Sequence, residues 1–157
     1  MKNIIILSNG KSKRMLYNKT NTFIKYNTII EHYIYYIKKY LKKPKFYINN
    51  NIKIYNNIPD IIFNIGPIGA IYTIIKYIND NKPMLIISID IPIIFSKFIK
   101  LFYNWKKKYK IILYKNIHFP FVIQINKKKY NIFEKELKIN NNKIINKSIN
   151  NFMKLLK

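Results

Sequence analysis

Residues 84–89 (MLIISI) constrain the fold more than any other stretch of this chain: five of the six are apolar, and the run stops at an acid, Asp90. A strand with one wet face alternates apolar and polar side chains. A near-continuous apolar run fits a central strand of a parallel sheet, covered on both faces. Parallel neighbours need crossover connections, usually helices, and the flanking sequence supplies them. Residues 3–8 read as a second buried strand that opens into a loop over 9–19. Over 28–42, Ile29, Ile30, Tyr33, Ile34, Ile37 and Leu41 recur at helical spacing, and Thr28 with Glu31 three residues on forms a capping-box pattern. Residues 45–49 and 52–55 read as strands among asparagines. After Gly66-Pro67, the spacing of Ile68, Ile71, Tyr72, Ile75 and Ile78 predicts a helix to about Asn79, with proline in its first turn. A helix over 96–107, strands over 109–114 and 121–125, and a terminal helix over 149–156 complete the pattern. Strands alternating with helices predict a three-layer α/β/α fold with a mostly parallel sheet. No linker divides residues 1–157, so one domain is expected, at a length that buries roughly 70% of the unfolded surface.

The charge is extreme: 30 Lys+Arg against 6 Asp+Glu, a formal net charge of +24. Such a balance points to nucleic acid, because phosphate-neutralising lysines release counterions. Composition offers another cause. Lys, Asn, Ile, Tyr and Phe dominate and share A- and T-rich codons, so a biased genome produces the same charge by drift. Residues that resist the bias then become informative. The one arginine is Arg14, the glycines are Gly10, Gly66 and Gly69, and the one alanine is Ala70. All of them fall in two segments, SNGKSKR and GPIGA. There is no cysteine, which excludes disulfides, thiolate metal sites and thiol nucleophiles. His32 and His118 lack zinc-site spacing, and Tyr33, Tyr35, Tyr36 and Tyr40 follow helical spacing, as core and helix-surface residues rather than a base-stacking platform.

The loop after the first strand sits where open α/β sheets bind ligands, and small residues there let backbone N–H groups approach phosphate oxygens. It fits neither GxxxxGK[ST] nor GxGxxG. The segment instead resembles the LAGGxSxRMGxxK signature of the molybdenum cofactor guanylyltransferases and related nucleotidyltransferases, with Leu7, Gly10, Ser12, Arg14, Met15 and Lys19 at matching places. Three more segments agree in order: GPIGAI (66–71) is similar to the family's GPLxGI, IDIP (89–92) to its CDxP, and KSIN (147–150) to its NxNTPEDL. The chain departs from the signature at Ser8, where the family has alanine, at Asn9, at Leu16 and at Asn18.

The resemblance implies a Rossmann-like nucleotidyltransferase fold and a Mg2+-dependent transfer of GMP from GTP to molybdopterin, with release of pyrophosphate. On that basis Asp90 is the expected metal ligand and nucleotide contact, since Mg2+ takes carboxylate oxygens and leaves its other positions to water and phosphate. Arg14 and Lys19 are the expected catalytic cations on the β- and γ-phosphates. Leu7, Ser8, Asn9 and Gly10 are expected to cradle the nucleotide, with Asn49, Asp60 and Gly66 as further contacts. Alternatives are a cytidylyltransferase of the same superfamily, a basic nucleic-acid-binding protein, or a catalytically decayed chain on the same scaffold. The apolar run in MKNIIIL is too short for a signal peptide, and none reaches the roughly 18 residues of a spanning helix. A cytoplasmic monomer is expected, with GTP and molybdopterin as its small-molecule partners.

Overall fold

The first strand, β1 (Lys2–Leu7), lies between β4 (Pro44–Asn49) and β5 (Met84–Ser88) and runs parallel to both. The computed structural model describes residues 2–8, 23–24, 27–49, 58–62, 65–89, 99–100, 102–105, 111–113, 119–139 and 149–156. Within them a five-stranded sheet has the order β4-β1-β5-β7-β6, where β6 is Ile111–Leu113 and β7 is Phe121–Ile123. β7 is antiparallel to both neighbours, so four strands share one direction and the expected mostly parallel α/β sheet is observed.

Side-chain alternation along the strands splits the core in two. Ile4, Ile6, Phe46, Ile48, Leu85, Ile87 and Val122 face helix α1 (Ile29–Tyr40) and the helical residues Ile99 and Phe102. Ile5, Leu7, Tyr47, Met84, Ile86, Phe121 and Ile123 face α2 (Pro67–Ile78), α3 (Lys127–Ile139) and α4 (Ile149–Leu156). Handedness explains why α1 and α2 take opposite faces. The β1–α1–β4 crossover moves one way across the sheet and β4–α2–β5 moves back, so two right-handed crossovers must cover opposite sides.

Local signals fix the helix ends. Thr28 caps α1: its backbone N–H donates to Glu31 Oε2 at 2.8 Å, and Glu31 N–H donates back to Thr28 Oγ1 at 3.3 Å. α2 ends at Asn79, whose φ of 42° is the left-handed cap that asparagine tolerates. Tyr33 is buried in the core, whereas Tyr35 and Tyr40 stand on the surface of α1. Tyr72 on α2 donates to Glu134 on α3 at 2.7 Å and stacks on Tyr130 with ring centroids 5.7 Å apart. Burial pushes the Tyr72 phenol well above its usual range.

Three elements escape a reading of the sequence. β2 (Phe23–Ile24) and β3 (Asn27–Thr28) form a small antiparallel pair. Helix α3 occupies a stretch whose lysines and asparagines dilute its stripe; Asn126 Oδ1 accepts from Lys129 N–H at 2.9 Å at its start, and Tyr130, Phe133 and Leu137 pack on the core. The strand expected over 52–55 lies outside the described residues.

Two stability effects follow. Thr28→Ala removes the hydroxyl, which accepts from Glu31 N–H and donates to Glu31 Oε2 at 2.9 Å, and should cost about 1 kcal/mol, read as a lower urea midpoint at constant slope. Gly69→Ala would gain about 1 kcal/mol of helix propensity, but the added Cβ falls 2.8 Å from the Ile62 carbonyl oxygen. Backbone must shift, so this change should lower stability by a net ~1 kcal/mol or more; an unchanged or raised midpoint would contradict the geometry.

Candidate functional site

Hydrogen bonding continues one step past the carboxyl ends of the central strands. Leu7 is in register with Asn49 on one side and Ser88 on the other. Beyond them Ser8 N–H donates to the Asn49 carbonyl at 3.2 Å, and Ile89 N–H donates to the Leu7 carbonyl at 3.2 Å. The chain steps outward from β1 to β4 and then back past β1 to β5, so strand order reverses between β1 and β5; this is the topological switch point, the place where open α/β sheets form a ligand crevice. Ser8 and Ile89 immediately precede Asn9 and Asp90 in the chain. The segment with Gly10 and Arg14 and the segment that opens at Asp90 therefore leave neighbouring strands at one edge.

A buried polar cluster flanks this edge. Asn49, the last residue of β4, is 0% exposed. Its Nδ2 donates to the Ile58 carbonyl at 3.1 Å and to Asp60 Oδ1 at 2.8 Å, so both amide hydrogens are used. Its Oδ1 is buried with no partner among the described residues. Such an orphan acceptor costs about 1–3 kcal/mol, a penalty that a ligand N–H would relieve. Ile58 N–H donates to the Ile48 carbonyl at 3.0 Å, and Ile61 N–H donates to the buried Thr73 Oγ1 on α2 at 2.9 Å. The 58–61 segment is thus pinned between β4 and α2, with the half-buried Asp60 carboxylate held against Asn49. On the other side, Ser8 Oγ donates to the Asn49 carbonyl at 2.7 Å.

Of the residues expected to form a site, Leu7, Ser8, Asn49 and Asp60 come together at this edge. Gly66 opens α2 at a φ of 67°, a left-handed value that favours glycine, and its carbonyl accepts from Gly69 N–H at 3.1 Å. Asn9, Gly10, Arg14, Lys19 and Asp90 lie outside the described residues. Both donors of Ser8, amide and hydroxyl, go to the Asn49 carbonyl. The orphan Oδ1 and the Thr73 tie were missed in the sequence. The only sequence signal for Thr73 is a lone polar residue inside an apolar helix face.

Among the described residues no group of three His, Cys, Asp or Glu side chains could hold a metal ion. Exposed lysines stand on both helical layers: Lys38 and Lys39 on α1, Lys76 on α2, Lys127, Lys128 and Lys135 on α3, and Lys154 on α4. The described charge is not gathered on one face. No described helix is long and apolar enough to cross a membrane.

No protein-family model matches the chain. Individual proteins do. The chain is 32% identical over 155 residues to a probable molybdenum cofactor guanylyltransferase of Clostridium perfringens strain SM101, an alignment covering 92% of this chain and 75% of the relative. It is 30% identical over 156 residues to the probable molybdenum cofactor guanylyltransferase of C. perfringens strain 13, with the same coverage. A probable molybdenum cofactor guanylyltransferase of Flavobacterium johnsoniae is 32% identical over 98 residues, 60% of this chain and 51% of that protein. With the switch-point geometry and this near full-length similarity together, the chain belongs to the molybdenum cofactor guanylyltransferase family of nucleotidyltransferases.

Proposed function

We propose that this chain transfers GMP from GTP to molybdopterin at the carboxyl ends of β1, β4 and β5. The observation that carries the reading is the convergence of Ser8, Ile89, Asn49 and Asp60 at the switch point, from which the Asn9–Lys19 and Asp90 segments begin. In this reaction a terminal phosphate oxygen of molybdopterin forms a bond to the α-phosphorus of GTP. The bond from that phosphorus to the α,β-bridging oxygen breaks, and pyrophosphate leaves with the electron pair. No protein nucleophile is needed. Positioning and cationic neutralisation supply most of the acceleration.

The roles divide by chemistry. Arg14 and Lys19 neutralise the β- and γ-phosphates, Arg14 with a planar fork suited to phosphate and Lys19 as a point charge. Asp90 would hold Mg2+, which when bound offsets charge on the phosphate oxygens. Both donors of Ser8 are taken up by Asn49, so the amides offered to phosphate begin at Asn9 and Gly10, while Leu7 and Ser8 form the floor. Asn49, with its orphan acceptor, and Asp60 face the remaining part of the nucleotide, near Gly66. Guanine contains an N1–H and an exocyclic amine that a carboxylate and an amide oxygen can accept from.

Calorimetric titration of GTP with Mg2+ tests the metal assignment. Asp90→Asn should weaken binding at least about tenfold, equivalent to about 1.4 kcal/mol; equal affinity removes Asp90 from its role. Pyrophosphate release measured with each of the four nucleoside triphosphates plus molybdopterin should be fastest with GTP. A preference for CTP assigns the chain to cytidylyl transfer, and release with none of them marks a scaffold that no longer turns over.

A further inference from the structure

We propose that Ser8 is a positioning residue whose buried hydroxyl, bonded to the Asn49 carbonyl, sets the end of β4 so that the Asn49 amide holds the Asp60 carboxylate at the sheet edge. The relay is local to the observed hydrogen bonds; its consequence for ligand binding rests on the nucleotidyltransferase reading above.

Three observations support it. First, the Asn49 carbonyl accepts twice from one residue, at 3.2 Å from Ser8 N–H and at 2.7 Å from Ser8 Oγ. The side-chain bond is the shorter and stands at the best O–H···O distance, so the hydroxyl adds a tie that the strand ladder alone lacks. Second, Ser8 and Asn49 are both buried. Water cannot replace a lost bond there, and hydrogen bonds in such surroundings reinforce one another. Third, the Asn49 side chain joins two points of the following segment, the Ile58 carbonyl and Asp60 Oδ1. The Asn49 side chain thus helps to place Asp60, alongside the bonds of Ile58 N–H to Ile48 and of Ile61 N–H to Thr73. The family signature that this segment resembles has alanine where this chain has Ser8, so the hydroxyl is this chain's own addition and Ser8→Ala should fold.

The test is a double-mutant cycle of wild type, Ser8→Ala, Asp60→Ala and the pair, read by urea unfolding and by calorimetry with GTP and Mg2+. Ser8→Ala should weaken GTP binding about fivefold, and in the Asp60→Ala background the same change should cost less than about twofold. Ser8→Thr, which keeps a hydroxyl, should bind within about twofold of wild type. The two stability losses should likewise be non-additive. If wild type binds GTP and Ser8→Ala costs nothing, or costs the same in both backgrounds, the relay is overturned while the nucleotidyltransferase reading stands. If wild type binds none of the four triphosphates, that reading fails, and the unfolding cycle decides the relay: additive losses overturn it and coupled losses uphold it.

Discussion

The parallel ladder through β1 is the constraint on which the rest of this structure depends. With β4 on one side and β5 on the other, Leu7 has Asn49 and Ser88 as its neighbours. A slip of one residue in either pairing would turn every buried isoleucine of the moved strand to the wrong layer. The two layers are filled on both faces of the sheet, so such a slip costs many burials at once. Register is therefore strongly specified. The same register decides which residues stand at the carboxyl edge.

The edge also shows how backbone and side chains share the work. Main-chain bonds bring Ser8, Asn49 and Ile89 side by side, and side-chain bonds then reach outward to Ile58, Asp60 and Thr73. A ligand at this place meets a frame whose polar atoms are mostly committed to one another. Preorganised groups of this kind need little rearrangement when charge arrives. The amide oxygen of Asn49 stands apart, as a buried acceptor still to be satisfied among the described residues.

Much of the fold was legible because its signals are local. The Thr28 and Glu31 capping box, the Gly66-Pro67 start of α2 and the apolar run of β5 each announce themselves within a few residues. Helix α3 was not legible, because its apolar stripe of Tyr130, Phe133 and Leu137 is spread among lysines and acids. The two-residue strands β2 and β3 are too short to carry a period. At the site, scarcity singled out Asp60 and the glycine segments, and the colinear motifs named the family. Asn49 entered the expected site only through the family resemblance, since in a chain so rich in asparagine composition does not mark it. Its importance lies in bonds to residues 9 and 11 positions on and to Ser8, 41 positions back, separations that no local pattern encodes.

The reversed strand β7 carries a consequence for how the molecule can vary. Phe121 pairs with Ile86 and with Leu113, so β6 ends and β7 begins toward the same side of the sheet as Ser8, Asn49 and Ser88. The connection between Leu113 and Phe119 thus starts and finishes on that side. The turn from α1 into β4, the turn from α2 into β5 and the turn from β7 into α3 all lie on the other. One rim of the protein can accept longer or altered loops that reshape what a second substrate meets, while the opposite rim keeps its tight turns to hold the layers in register.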